Sequence, residues 1–277
     1  MDRAEAHRRF FASLISGQVG IPKESRLVHA FASTPRENFL GPGPWRMFTA
    51  SGYLDTPNDD PSFLYQDVTV ALKPEAAINN GQPTLHALSL AAVGVKEGES
   101  VVHVGAGTGY YTAILAELTG AAGRVFAYEI DAELAESARK NLSAYPQVEV
   151  RSCSGSEGSL PECDVVYVSA GATDPLAVWL DALRPGGRLL FPLTPDKGYG
   201  GMLLVTRRED DRFAARFLCQ ALFIPCVGAR DEESARRLAE AIHHGGFQKV
   251  RSLRRTGDPD ESCWVVGRGW WLSTSES

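Results

Sequence analysis

Apolar positions recur at helical spacing from Arg3 to about Phe39, and the pattern stops where Pro35 and then Gly41-Pro42-Gly43-Pro44 forbid continuation. Residues 45–83 show no strong period and are rich in Pro, Asn and Asp, with aromatics at Trp45, Phe48, Tyr53, Phe63 and Tyr65. A long aperiodic stretch inside a compact chain is more often a functional cover than a spacer. Its aromatics serve either as a substrate-covering loop or as a satellite core. Within it, Val68-Thr69-Val70-Ala71-Leu72 predicts a short strand.

From Pro83 onward the pattern turns regular. Leu85, Leu88, Ala92 and Val93 lie at helical spacing, and Val101-Val102-His103-Val104 reads as a buried strand. After Gly105-Ala106-Gly107-Thr108-Gly109 comes a helix with Ile114, Leu115 and Leu118 on one face. Arg124-Val125-Phe126-Ala127-Tyr128 is the next strand. Asp131 is placed to cap the helix carrying Leu134, Ala135, Ala138 and Leu142, with Glu136 and Lys140 paired at i,i+4. Further strands are predicted at 148–150, 164–168 and 188–191, the last introduced by the turn Arg184-Pro185-Gly186-Gly187. Met202–Thr206 and Phe213–Phe217 form an antiparallel pair around Glu209-Asp210-Asp211. The tail from Arg230 holds a charged helix, opened by Asp231-Glu232-Glu233 and closed by His243-His244, then two short strands near Trp264 and Trp270. Trp264, Trp270 and Trp271 are expected to cover the sheet edge or an oligomer contact. β-Branched runs alternating with amphipathic helices indicate a parallel sheet covered on both faces, an α/β doubly wound core.

Composition narrows the class without naming a chemistry. The chain has 277 residues, 44% apolar and 22% charged, enough to bury a core without staples. Its net charge of -6 lacks the basic footprint of a nucleic-acid binder. No apolar run approaches a membrane span, and no signal-peptide pattern precedes Phe10, so a cytoplasmic protein is expected. Cys153, Cys163, Cys219, Cys226 and Cys263 form no C-x-x-C pair, which signals neither zinc nor a redox dithiol; they read as reduced and mostly buried. His103 is expected to make a local hydrogen bond inside the sheet, and His86 either lines the cleft or sits satisfied at the surface.

The chemistry is concentrated in the glycine turn. Gly105, Gly107 and Gly109 let a ligand approach the backbone beside a helix N-terminus that offers free N–H groups. A dinucleotide fingerprint needs a further glycine where Tyr110 stands, so the spacing suits a nucleoside ligand without a pyrophosphate and disfavours a nicotinamide oxidoreductase. Glu129, at the end of the next strand, can accept both hydroxyl hydrogens of a ribose. Together they favour an adenosyl cofactor.

Several ordered motifs carry a resemblance. Gln82-Pro83-Thr84-Leu85-His86-Ala87, then Val101 through Ala113, then Asp164-Val165-Val166-Tyr167-Val168-Ser169-Ala170-Gly171-Ala172 are similar to the protein-L-isoaspartate O-methyltransferase family. So are Leu183–Leu189, Phe223-Ile224-Pro225-Cys226-Val227-Gly228 and, upstream, Thr34-Pro35-Arg36-Glu37-Asn38-Phe39. The likeness covers roughly residues 8 to 229. It implies a Rossmann-like fold that binds S-adenosylmethionine (AdoMet) and yields S-adenosylhomocysteine (AdoHcy). The cofactor residues it implies are Gln82, His103, Gly105, Ala106, Gly107, Thr108, Gly109, Tyr110, Glu129, Ile130, Ser154 and Gly155. The organisation it implies is an N-terminal helical segment with a covering loop (1–82), the methyltransferase core (83–229) and a small α+β extension packed on that core (230–277).

Three positions depart from the family pattern. His103 stands where an acidic residue usually faces the cofactor's amino-acid end, and Ser154 stands for an aspartate near the adenine amino group. Losing both carboxylates weakens cofactor binding by about 1–3 kcal/mol unless the charge-assisted bonds are replaced. Gly81 occupies the place of the family's substrate-contacting serine, leaving Asn79 and Asn80 to hold the acceptor. The expected reaction is O-methylation of a protein or peptide carboxylate, isoaspartyl in type, with no nucleic acid or membrane partner. A same-fold enzyme for another peptide or small-molecule acceptor, and a non-catalytic binding module, are the alternatives. A carboxylate is already ionised at neutral pH, so no general base is required. The work left to the protein is alignment and exclusion of water.

Overall fold

The N-terminal apolar repeat is carried by two helices instead of one. In the computed structural model, which describes residues 3–209 and 212–276, α1 (Arg3–Gln18) ends before Gly20-Ile21-Pro22 and α2 (Arg26–Ser33) restarts. Ser25 caps the restart by accepting the Leu27 N–H. A two-strand hairpin, β1 (Arg46–Thr49) with β2 (Gly52–Asp55), and a second small pair, β3 (Ala71–Lys73) with β4 (Ile78–Asn79), occupy the stretch read as aperiodic. The strand expected over 68–72 is thus shifted to Ala71–Lys73.

Then follow α3 (Pro83–Val93), β5 (Ser100–Val104), α4 (Tyr110–Thr119), β6 (Arg124–Tyr128), α5 (Ala132–Asn141), β7 (Val148–Arg151) and β8 (Cys163–Val168). The chain continues through α6 (Ala177–Asp181), β9 (Leu183–Leu193), β10 (Gly200–Arg207), β11 (Phe213–Ala221) and α7 (Glu232–His244). It closes with β12 (Ser252–Arg254), β13 (Cys263–Gly267) and β14 (Trp270–Ser273). Asp210 and Asp211, in the expected turn between β10 and β11, lie outside the described residues, as do Met1, Asp2 and Ser277 at the ends of the expected spans. Among the described residues no helix is long and apolar enough to cross a membrane.

The chain divides into two compact units, one of residues up to Gly98 with Ala106–Cys153, the other of Glu99–Gly105 with residues from Ser154 on. In the first, α4 packs on α2 and β6, and β6 runs parallel to β7. Every residue of α4 except Glu117 is buried, a wider apolar surface than the one face expected. Leu40, Trp45, Leu64 and Val70 form a small core with Met47 and Leu72 packed against it. The loop aromatics therefore divide: Trp45 and Tyr65 are buried, whereas Phe48 and Tyr53 stay exposed on the hairpin.

In the second unit β5 and β8 pair in parallel, as do β8 and β9; β10 and β11 follow antiparallel, then β12, β14 and β13. Arg184-Pro185-Gly186-Gly187 does not precede β9 but bulges within it, where the register jumps from Cys163↔Leu183 to Val165↔Arg188. The C-terminal residues supply one more strand than expected, β12. That strand pairs with β11, so the extension lengthens the second unit's own sheet. Trp270 and Trp271 are buried strand residues; Trp270 Nε1 donates to Asp174 Oδ1 at 2.7 Å. Trp264 Nε1 donates to the Gly245 carbonyl and its ring meets Phe217 edge-on. Only Cys163 and Cys226 are buried, fewer cysteines than expected, and Cys153 is exposed. Burial pushes the Cys163 thiol up to about 12.

Candidate functional site

The division between the units falls inside the glycine turn, between Gly105 and Ala106, and each half has its own geometry. In the first unit the Ala106 N–H donates to the Tyr128 carbonyl, and the Gly107 N–H donates to Glu129 Oε2 at 2.7 Å. Gly109 caps α4 at φ +98°, and a Cβ there would meet Leu142 Cδ1 at 2.7 Å. The left-handed conformation calls for glycine, and any side chain would also have to displace the Leu142 tip. Thr108 is held from two sides: its hydroxyl donates to the Phe39 carbonyl and its own carbonyl accepts from Asn141. Tyr110 is buried between Phe31 and Phe39, its hydroxyl without a hydrogen-bond partner, and burial raises its pKa so that it stays protonated.

Glu129 is the centre of this half. Its side chain is almost fully buried, with Oε2 on Gly107 and Oε1 accepting the Asp131 N–H at 3.0 Å. Burial raises its pKa against the pull of those backbone donors. An ionised carboxylate offers about four lone-pair sites, so two remain for the paired hydroxyls of a ribose. Ile130 beside it is 52% exposed, an unusual position for a large apolar side chain at a strand end and one suited to a flat apolar ligand face. Asp131 caps α5 as expected, accepting from Glu133 and Leu134. Lys73 at 2.6 Å holds the Asp131 carboxyl below the usual range, and Lys73 in turn is raised.

The predicted acceptor segment is spread rather than gathered. Asn80 is buried with Oδ1 accepting from Arg36 Nη2 at 3.0 Å, whereas Asn79 Oδ1 accepts from the Tyr53 hydroxyl at 2.9 Å. Gln82 Nε2 donates to Asp67, which also accepts the Thr84 N–H and so caps α3 from a distant loop. Gly81 has φ +79°, and a Cβ there would collide with His86 Nε2. His86 is buried, which decides against its placement at the surface.

In the second unit, Gly105 lies over the Ser169 backbone, with a built Cβ 3.5 Å from Ser169 C. His103 shares a hydrogen bond with Ser169 Oγ at 3.0 Å, as expected, and meets Tyr167 edge-on. Desolvation pushes its pKa down to about 3, so the ring is neutral at physiological pH. Ser154 Oγ bonds Ser156 Oγ at 2.7 Å, Ser156 Oγ donates to the Val227 carbonyl, and the Gly155 carbonyl accepts from Trp179 Nε1.

Arg36 is the largest feature that sequence reasoning left without a role. Fully buried, it donates to the carbonyls of Leu64, Gln66 and Val68 and to Asn80 Oδ1, tying residues 64–68 to residue 80. Its only sequence signal is its place in Thr34-Pro35-Arg36-Glu37; its partners lie 28 to 44 residues away.

The profile described as protein-L-isoaspartate(D-aspartate) O-methyltransferase matches residues 8–231. A protein-L-isoaspartate O-methyltransferase of Methylorubrum extorquens is 34% identical over 231 residues, covering 82% of this chain and 90% of that protein. The corresponding protein of Brucella anthropi is 29% identical over 209 residues, covering 74% and 87%. Among solved structures, a protein-L-isoaspartate O-methyltransferase aligns with a TM-score of 0.68 at 23% identity, over 85% of this chain and 69% of that one. A Plasmodium falciparum structure assigned as a β-aspartate methyltransferase, in complex with AdoHcy, aligns with a TM-score of 0.64 at 17% identity, over 80% and 98%. The two structures agree with this chain in fold, the Rossmann-like α/β class expected from the sequence.

Proposed function

The chain belongs to the protein-L-isoaspartate(D-aspartate) O-methyltransferase family, and on that premise we propose that it methylates the carboxylate of isoaspartyl residues in proteins or peptides at the expense of AdoMet. The observation that carries the cofactor side is the Gly107–Glu129–Asp131 arrangement. There a buried carboxylate is held by two backbone N–H groups, with lone pairs left for a cis-diol. When bound, AdoMet supplies an electrophilic methyl group on a sulfonium. Glu129 fixes the ribose, Ile130 packs on the adenine, and the turn 106–110 lies against the remainder of the nucleoside. For Ser154 and Gly155 the family membership implies a role at the adenine. His103 and Gly105 shape the start of the turn, His103 as a neutral ring.

On the acceptor side, we assign the substrate to the segment Asn79-Asn80-Gly81, with Gln82 toward the cofactor. Arg36 and Asp67 act through it: Arg36 fixes Asn80, and Asp67 fixes Gln82. The exposed Phe48 and Tyr53 flank it on the hairpin, with Tyr53 bonded to Asn79. The chain needs no base, because an isoaspartyl carboxylate is already ionised at neutral pH. Its residues align the acceptor oxygen and exclude water. A cytoplasmic site of action fits this role.

The decisive assay is AdoMet-dependent methyl transfer to an isoaspartyl peptide, with the matched aspartyl peptide as control. Selective methylation of the isoaspartyl form is expected. Transfer to neither, with AdoHcy still binding, would move the assignment to another acceptor, the reading that Gly81 favours.

A further inference from the structure

The hairpin of β1 and β2 has two unlike faces. Arg46 pairs with Asp55, Met47 with Leu54, Phe48 with Tyr53 and Thr49 with Gly52. Because side chains alternate along a strand, Arg46, Phe48, Tyr53 and Asp55 share one face, and Met47 and Leu54 the other. Met47 packs against the small core of Leu40, Trp45, Leu64 and Val70, so its face is the inner one. A hairpin of this kind commonly turns polar residues outward. Half of the outer face obeys: Arg46 Nε bonds Asp55 Oδ1 at 3.1 Å. The half nearer the turn is an aromatic pair, the rings of Phe48 and Tyr53 edge-on with centroids 5.6 Å apart. Phe48 is 51% exposed and Tyr53 36%, so this apolar area contributes little to folding.

The pair is tied to the acceptor segment in two ways. Along the backbone, the Phe48 N–H donates to the Thr69 carbonyl, Met47 bridges Val70 in antiparallel sense, and the Val70 carbonyl accepts the Asn80 N–H at 2.8 Å. Through a side chain, the Tyr53 hydroxyl donates to Asn79 Oδ1 at 2.9 Å. Phe48, Tyr53 and residues 79–80 are therefore held as one piece of the first unit. A polypeptide whose carboxylate lies at Asn79 has the aromatic pair beside it.

We propose that Phe48 and Tyr53 form a subsite for the acceptor polypeptide, taking a large apolar side chain next to the isoaspartyl residue. The inference rests on the assignment of 79–81 as the acceptor segment, and it goes beyond that assignment by giving the reaction a sequence preference. The rings supply apolar area, and the Tyr53 hydroxyl is engaged by Asn79. A charged neighbour of the isoaspartate gains no counter-ion on this face, because Arg46 and Asp55 pair with one another.

Isoaspartyl peptides that differ only in the residues flanking the isoaspartate (leucine, glycine or glutamate) give the readout as ratios of kcat/KM. Wild type is expected to favour leucine over glycine by about tenfold, the scale of half-burying one leucine side chain. Glutamate should rank with glycine or below it. Phe48→Ser and Tyr53→Ser should bring the leucine-to-glycine ratio to within about twofold of one, mainly through KM. Tyr53→Phe keeps the ring and removes the bond to Asn79, so KM should rise for all the peptides while the ratio is preserved. Damage to the fold lowers all the rates together and leaves the ratio as it was, which separates recognition from structure. A wild-type ratio near one would overturn the proposal whether or not the serine variants fold. So would a ratio that survives both serine variants; if Phe48→Ser then also dissociates a dimer in sedimentation, the face belongs to a second copy of the chain. Wild-type protein that binds AdoHcy but methylates none of the peptides defeats the isoaspartyl assignment and the proposal with it, whereas equal kcat/KM for all of them defeats the proposal alone.

Discussion

Replacing Glu129 by glutamine changes one atom and removes one charge, and its consequences can be worked from the contacts. Both carboxylate oxygens accept backbone N–H groups, Gly107 on Oε2 at 2.7 Å and Asp131 on Oε1 at 3.0 Å. A glutamine amide satisfies one of them with its oxygen and turns its NH2 toward the other, so one nearly buried N–H loses its acceptor, at about 1–3 kcal/mol. The ribose hydroxyls lose charge assistance as well. Two bonds falling from roughly 1.5–3 to roughly 0.5–1.5 kcal/mol each remove about 2 kcal/mol from binding, or about 30-fold in Kd. Calorimetric titration with AdoHcy, beside a denaturant series for stability, measures the two losses separately. Affinity within threefold of wild type, in a Glu129→Gln protein of native circular dichroism, would refute the ribose assignment.

The pH dependence of binding follows from the same carboxylate. Burial raises the Glu129 pKa and binding needs the ionised form, so AdoHcy affinity should fall as pH drops through that raised value, and Glu129→Gln should abolish the slope. His103 contributes to stability differently. With a folded pKa of about 3 against 6.5, the unfolded chain binds its proton more readily, so stability rises with pH between these values; His103→Asn should flatten that part of a pH–denaturation profile. Arg36→Met leaves three backbone carbonyls and Asn80 Oδ1 without their donors and should cost about 3–5 kcal/mol in urea denaturation at unchanged m, with faster amide exchange over 64–70. Asp131→Ala removes the α5 cap and should cost about 1 kcal/mol by the same denaturation, half of it or more recovered by Asp131→Asn.

What was legible in the sequence is what short-range chemistry dictates. β-Branched runs located β5, β6 and β8, and Asp131 announced its own helix. The glycine spacing singled out Glu129, whose bond to Gly107 links residues 22 apart through one strand and one turn. Legibility failed where the deciding partner lies far along the chain or where polarity misleads. Arg36 was left without a role because nothing local shows that carbonyls 64, 66 and 68 converge on it. His86 was ambiguous because a histidine on a helix is polar by composition, and its packing against Tyr111 and Gly81 is not visible locally. Arg184-Pro185-Gly186-Gly187 is a turn by every local rule, and only the pairing of β9 with β8 carries the strand through it. The same dependence on a partner hid β12, three residues that become a strand by pairing with β11 and β14.

The way residues 247–273 extend the sheet bears on how the chain is made. β11 is nine residues long, but its ladder with β12 pairs only Phe213 and Ala214; farther along, Phe217 is covered by the rings of Phe247 and Trp264. Until residues 247–273 have left the ribosome, that strand presents an unshielded row of backbone donors and acceptors to any other nascent chain. The guard for this edge is therefore synthesised after the strand it covers. A chain cut short after the family-like portion would retain the glycine turn 105–109 and still be prone to self-association through this edge.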